Sequence, residues 1–216
     1  MSRAMMSRVR KRLSAQERRA KILAAAISAF AREGYEKTTM DQIATGANIT
    51  KPVLYDHFPS KQALFQAVLE TIRDGLIAKG RSIVAEDTDP ADKFRRAVDA
   101  FLGFVEDEPA AARVLLTVPS GDPAAAQLAR TVQVGASAGI AALLTAFMGA
   151  RSPWQLRAAT EFLKEGLHAI ALWWLDNPGP TRREVADIVL EIAWVGLRGQ
   201  AGSNGERKRK AIDRKR

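Results

Sequence analysis

Apolar residues recur every three or four positions along most of this chain, the period of a helix with one buried stripe. No segment alternates with the period of two that a strand requires, and no internal repeat is evident. Ile22, Ala26 and Phe30, with Leu23 and Ile27 alongside, make the first stripe. The capping box Ser14-Ala15-Gln16-Glu17 opens that helix and Gly34 ends it. Thr39 with Gln42 starts a second helix, in which Ile43 points inward and the small Ala44 allows a close crossing. Gly46-Ala47-Asn48-Ile49 is the break, Asn48 being able to take the left-handed conformation. Thr50 is placed to cap a third helix that stops before Pro59. Two helices across so short a turn form a helix-turn-helix, with Phe30, Ile43, Ile49, Leu54 and Phe58 as its small core.

From Ser60 onward, Leu64, Val68, Ile72 and Leu76 fall at steps of four, predicting a helix that runs into the 70s or 80s. Three further helices are announced by a capping residue before a proline: Asp89-Pro90, Asp122-Pro123 and Ser152-Pro153. The spacing predicts helices over 90–107, 109–117, 123–149, 153–176 and 181–198. The fold class is therefore all-α. The expected organisation is a basic disordered arm (1–13), a helix-turn-helix domain (14–59), a larger helical domain (60–199) and a basic disordered tail (200–216).

The third helix is unusual for a packing element. With Leu54 and Phe58 inward, Pro52, Val53, Tyr55 and Asp56 face out and Lys51 and His57 flank them. That face is a poor solvated surface and a good reading surface for a DNA groove, although a short packing helix satisfies the same spacing. Charge sharpens the choice. The chain carries a net +9, of which residues 1–21 hold +7 and residues 201–216 hold +5, leaving −3 for the remainder. Basic ends beside a helix-turn-helix favour a polyanion through counterion release, and Arg8, Arg10, Lys11 and Arg12 are placed to reach an adjacent minor groove. A solvated, disordered charge run is the plainer alternative.

Other chemistry is sparse. The absence of cysteine excludes disulfides and thiolate metal sites. His57 and His168 are far apart in sequence, and neither has metal-ligand spacing. No nucleophile elbow or phosphate-binding glycine loop occurs, so neither enzyme activity nor a cofactor is expected. The opening residues lead into charge rather than an apolar run, which argues against a secretory signal. Thr131 to Ala150 is uncharged, but its polar and glycine residues make it weak as a membrane span, and a helix buried on most sides is expected. Glu161, Glu165 and His168 share a helical spacing and are candidates for a polar patch in a ligand cavity. Phe101, Phe104, Trp154, Phe162 and Trp173 are candidates for its walls, although aromatic residues at this spacing are usually core. The last two helices carry the broadest apolar faces, suited to a twofold four-helix interface.

The run AAAISAFAREGYEKTTMDQIATGANITKPVLYDHFPSKQALFQA, from Ala24 to Ala67, resembles the DNA-binding domain of the TetR family of bacterial regulators. The matching pieces are F-x-x-x-G-Y-x-x-T-T, the D-x-I-A of the second helix, and L-Y-x-H-F-x-S-K. Asn48 departs from the usual glycine, and Asp56 stands where the family often has an aromatic or other polar residue. The resemblance implies a homodimer on a palindromic operator with a C-terminal sensor domain. On that reading Thr50, Lys51, Pro52, Val53 and Tyr55 meet the major groove. Lys51 suits guanine, Pro52 and Val53 suit a thymine methyl, and Asp56 suits the amino group of cytosine. Thr39, Tyr55, His57 and Lys61 would hold phosphates. The expected function is a cytoplasmic, nucleoid-associated repressor released when a small apolar or amphipathic effector tilts the helix beginning at Ser60. The alternative is a sequence-independent DNA organiser that works through its basic termini.

Overall fold

The computed structural model describes residues 14–148 and 152–193, whose regular elements are all helices, with no strand among them. In order they form α1 (Ala15–Lys37), α2 (Met40–Gly46), α3 (Lys51–His57), α4 (Lys61–Ala85), α5 (Pro90–Asp107), α6 (Pro109–Leu116), α7 (Pro123–Met148) and α8 (Pro153–Asp176). A ninth helix, α9, covers 182–193. The proposed basic arm and tail, the end of the last helix and the four basic residues assigned to the minor groove lie outside the described residues.

The caps are formed as the residue types dictate. Ser14 accepts from the Glu17 amide at 3.1 Å while Glu17 accepts from the Ser14 amide at 2.7 Å. The Thr39–Gln42 and Thr181–Glu184 pairs repeat that reciprocal arrangement. Asp122 accepts from the Ala124 and Ala125 amides, both at 3.0 Å. Thr50 is the exception: it sits at the N-cap of α3 in an extended conformation, yet its hydroxyl makes no capping bond. Pro52 follows in the first turn and brings no N–H, which leaves that turn with one donor fewer for a cap to satisfy. Gly34 also does less than expected. It breaks α1 with φ 77° and ψ 165°, but one more turn follows, through Lys37.

Buried residues form one connected core. In the N-terminal part Ile22, Ala26, Phe30, Ile43, Ala44, Leu54 and Phe58 are enclosed, and Ile49 packs at their edge. The core continues along α4 through Leu64, Phe65, Val68 and Leu69, then into α5 and α6 through Val98, Leu102, Val105 and Ala112. Helix α4 packs on α1 at one end and on α5 and α7 further along; α6 rests on α1, and α8 rests on α7. The N-terminal helices are therefore continuous with the rest through α4 and α6.

Helix α7 departs from expectation. Over its most apolar window only 19% of the residues are buried, so it is not enclosed on most sides. The physical reason lies in what it faces: Ala138, Gly139, Ile140, Ala142 and Leu143 line an internal cavity. Their apolar character suits that wall rather than a close-packed core.

Candidate nucleic-acid interface and internal cavity

The reading head is built by three constraints. The Thr39 box fixes the start of α2. Asn48, at φ 54°, then turns the chain in the left-handed region. The Asn48 amide donates to Thr45 O and the Ile49 amide to Ala44 O, both at 3.0 Å, closing the end of α2. Leu54, fully buried, pins α3 against this frame. Lys51, Pro52, Tyr55 and Asp56 are consequently exposed, with Tyr55 at 42%, while Val53 and His57 are half-buried. Thr39 and Thr50 are exposed at the starts of the two helices. Such a protruding face, polar with a proline and an aromatic ring, can enter a major groove as a unit.

Two of its cations are already engaged. The Lys51 ammonium pairs with Asp41 at 2.8 Å on the surface, and this hydrogen bond and charge hold it above the ordinary lysine value. Lys61 is the larger correction. Its ammonium donates to the carbonyls of Tyr35 at 2.9 Å, Glu36 at 3.2 Å and Thr38 at 3.2 Å, and lies 4.4 Å from the centre of the Tyr35 ring. Three N–H groups meet three acceptors, so nothing is left over for a phosphate. Lys61 closes the C-terminal end of α1, where carbonyls lack helical partners and a cation is favourable.

Sequence reasoning missed several residues that set this geometry. Phe65 of α4 packs against both Phe30 and Tyr35, with ring centres 5.2 and 4.7 Å away, and so ties the head to the connecting helix. Thr38 is buried, and its hydroxyl donates to Gly34 O at 2.7 Å, within reach also of Ala29 O. The Arg19 guanidinium lies 4.6 Å from the centre of the Phe58 ring, bringing a cation of α1 to the end of α3. The Glu36 carboxylate accepts from the Gly121 amide at 2.8 Å, and this bond holds it below the ordinary carboxylate range. That contact seats the α6–α7 loop on the head. An acid, an arginine and a glycine in such scattered places carry no local signal of pairing.

The second feature is a cavity of about 440 Å³ bounded by α4, α5, α6, α7 and α8 and partly open to solvent. Leu76, Ile77 and Ile83 come from α4, Phe94, Val98 and Phe101 from α5, and Leu163 and Leu167 from α8. No aspartate or glutamate lines it; the charged wall residues are Lys79, Arg81 and Lys164, joined by His168. Of the residues expected here, Phe101 and His168 reach the wall, their rings 6.4 Å apart. Burial pushes His168 below the ordinary histidine value. Phe104 is core, 4% exposed. Trp154, Phe162 and Trp173 face solvent at 70%, 78% and 49%. Glu165 turns outward onto Lys164 rather than into the cavity. The helical period placed these residues on α8 but could not tell its inner face from its outer one, because both are apolar. Among the described residues no group of His, Asp and Glu is arranged to hold a metal.

Comparison with known proteins agrees with this geometry. Residues 22–68 match the family model for bacterial regulatory proteins of the tetR family. The HTH-type transcriptional activator FasR of Mycolicibacterium smegmatis is 32% identical over 191 residues, which is 86% of this chain and 85% of that protein. A TetR-like transcriptional regulator from Rhodococcus sp. RHA1 superposes with a TM-score of 0.74 at 26% identity, covering 87% of this chain and all of that one. The regulator FadR from Bacillus subtilis, solved with stearoyl-CoA, superposes with a TM-score of 0.72 over 81% of this chain and 96% of its own. At 16% identity that last likeness speaks for the fold alone. The helix-turn-helix with its left-handed Asn48, the helical body behind it and a relative alike over nearly its whole length lead to one conclusion: this chain is a transcriptional regulator of the TetR family.

Proposed function

We propose that the chain is an effector-responsive homodimer that binds an inverted-repeat operator and is released from it when an amphipathic, largely aliphatic molecule enters the cavity. One observation carries this reading: α4 belongs to both sites. Its first turns bury Leu64, Phe65 and Val68 in the head, and its later turns supply Leu76, Ile77 and Ile83 to the cavity wall. A ligand that prefers one tilt of α4 then prefers one separation of the two heads, and linkage does the rest. On this reading residues 14–59 read DNA and the remainder senses and dimerises, with no catalytic role. It works where bacterial DNA lies, in the cytoplasm.

Dimerisation through α8 and α9 is supported by what they leave uncovered. Trp154, Ala158, Phe162, Gly166, Ala169 and Trp173 make an exposed stripe along α8, and Ile188 and Ile192 extend it on α9. Large rings interspersed with small residues suit close approach of a second copy about a twofold axis.

Lys51, Pro52, Val53, Tyr55 and Asp56 are the base-reading set, and Thr39, Thr50 and His57 the residues near phosphates. Repression needs only that an operator overlap a promoter, and it is the reading adopted. Activation, the role in the name of the M. smegmatis relative, would require a polymerase contact as well. Selection of bound duplexes from a random library at physiological salt tests the proposal. An enriched inverted repeat, located relative to promoters, supports it and settles its sign; retention of DNA without any motif would favour the organiser reading instead.

A further inference from the structure

One charged residue of the cavity wall is almost completely enclosed. Lys164 on α8 is 6% exposed and shares the wall with Leu163, Leu167 and His168. Its ammonium meets Glu161 at 2.6 Å and Glu165 at 3.3 Å, two side chains that are 47% and 65% exposed and stand outside the wall. Burial alone would pull this ammonium down, but the two carboxylates more than offset that and hold it above the ordinary lysine value. Packing does not account for it, since a methionine would fill the same space without the cost of desolvating a charge. Nearby on α7, the buried Ser137 hydroxyl faces the Glu161 carboxylate. A largely apolar cavity thus has one polar corner, where the Lys164 ammonium and His168 meet the wall.

We infer that Lys164 anchors the carboxylate of an aliphatic effector, which takes the place of Glu165 on the ammonium while its chain fills the apolar cavity. This rests on the reading of the cavity as the effector site. The exchange is balanced in charge: one carboxylate arrives and one leaves. Glu165 is the one released because it is held at the longer distance and is the more exposed, so it regains water at little cost. The head group must be compact, because the wall around Lys164 is apolar, with Leu163 and Leu167 on the same stretch of α8; a carboxylate suits such a corner better than a nucleotide phosphate. Bulky phosphates would instead meet Lys79 and Arg81, which are exposed residues of α4. Specificity here comes from pairing a buried cation, a stronger discriminator than apolar fit.

Calorimetric titration of the full chain with dodecanoate, methyl dodecanoate and dodecanoyl-CoA tests this. Dodecanoate is expected to bind at least tenfold more tightly than its methyl ester. Lys164→Met should abolish that preference while leaving ester binding intact, which also reports that the variant is folded. Glu165→Gln, which keeps Lys164 and removes its weaker competitor, should tighten dodecanoate several-fold. Equal binding of acid and ester to the unaltered protein overturns the Lys164 assignment and leaves the cavity reading standing, whereas binding of none of the three removes the cavity reading and the assignment with it. A preference that persists in Lys164→Met, or unchanged or weaker binding to Glu165→Gln, also overturns it. So does a Lys164-dependent dodecanoyl-CoA affinity without dodecanoate binding, since the anion recognised would then be a phosphate.

Discussion

Replacing Lys61 with methionine separates two roles for one residue. The change keeps the length and apolar stem of the side chain and removes only the ammonium. Two of its three carbonyl partners, those of Tyr35 and Thr38, are reached in a partly buried setting, and the third, Glu36, is exposed. A hydrogen bond from a charged donor contributes about 1.5–3 kcal/mol where water cannot replace it, which gives ~4 kcal/mol for the two sheltered bonds. The cation above the Tyr35 ring adds about 0.5–1 kcal/mol. Against this, the variant recovers up to ~2 kcal/mol of lysine rotamer entropy, so the net loss is ~3 kcal/mol. For a chain of this size each kcal/mol moves the melting temperature by about 2–4 °C, giving a fall of roughly 6–12 °C. Thermal unfolding followed by circular dichroism measures it. In parallel, operator affinity is measured over a range of salt. A lysine on a phosphate would lower the salt slope by about one when removed, with little change in melting temperature. An unchanged melting temperature with that smaller slope would refute the structural role and restore the phosphate contact.

Four further outcomes are expected. Gly34→Ala should lose about 1–3 kcal/mol in denaturant unfolding, because φ 77° with ψ 165° is essentially restricted to glycine; the new methyl has room, 3.7 Å from Glu36 Oε2, so an unchanged stability would remove the conformational argument. Asn48→Ala should lose about 1–2 kcal/mol, while Asn48→Gly stays close to the parent protein. Asp41→Asn releases Lys51 from a weak, solvent-exposed pair, so operator binding should tighten by at most about fivefold; a weaker complex in a mobility-shift titration would mean that the pair presets the head. Finally, His168 is held neutral by burial, with its folded pKa below the unfolded value of ~6.5. The unfolded chain binds the proton more readily, so this contribution is complete above that unfolded value and is lost as pH falls through the depressed folded one. His168→Phe should flatten this part of the pH dependence of melting, and equal slopes in both proteins would contradict it.

How much of this was legible in the sequence depended on range. Helix starts are local, since a serine, threonine or aspartate reaches amides only two or three residues away, and so Ser14, Thr39, Asp89 and Asp122 could be read directly. Conformational demands are local too: Asn48 was placed in the left-handed region by its neighbours in the turn. The inward stripe of each short helix followed from the period, because Leu54 and Phe58 had only one core to meet. Thr50 shows the limit of this reasoning, since residue type alone did not reveal that its hydroxyl would make no capping bond.

What only the tertiary structure decided was every partnership across long stretches of chain. Lys61 had the position of a phosphate ligand, but α1 ends beside it with three carbonyls that no neighbour in sequence reveals. Helix α8 is apolar on both faces, so its period could not say that Leu163, Lys164, Leu167 and His168 would turn to a cavity while Trp154, Phe162 and Trp173 turned away. Lysine at 164 was passed over because an ammonium usually seeks water; it stays enclosed only because two outward carboxylates meet it there. The sequence by itself determined the helices, their caps and the shape of the reading head, because hydrogen bonds and steric limits within a few residues settle those. Which faces became core, cavity or exposed surface was settled by how α4 to α9 pack, and packing is a property of the whole chain.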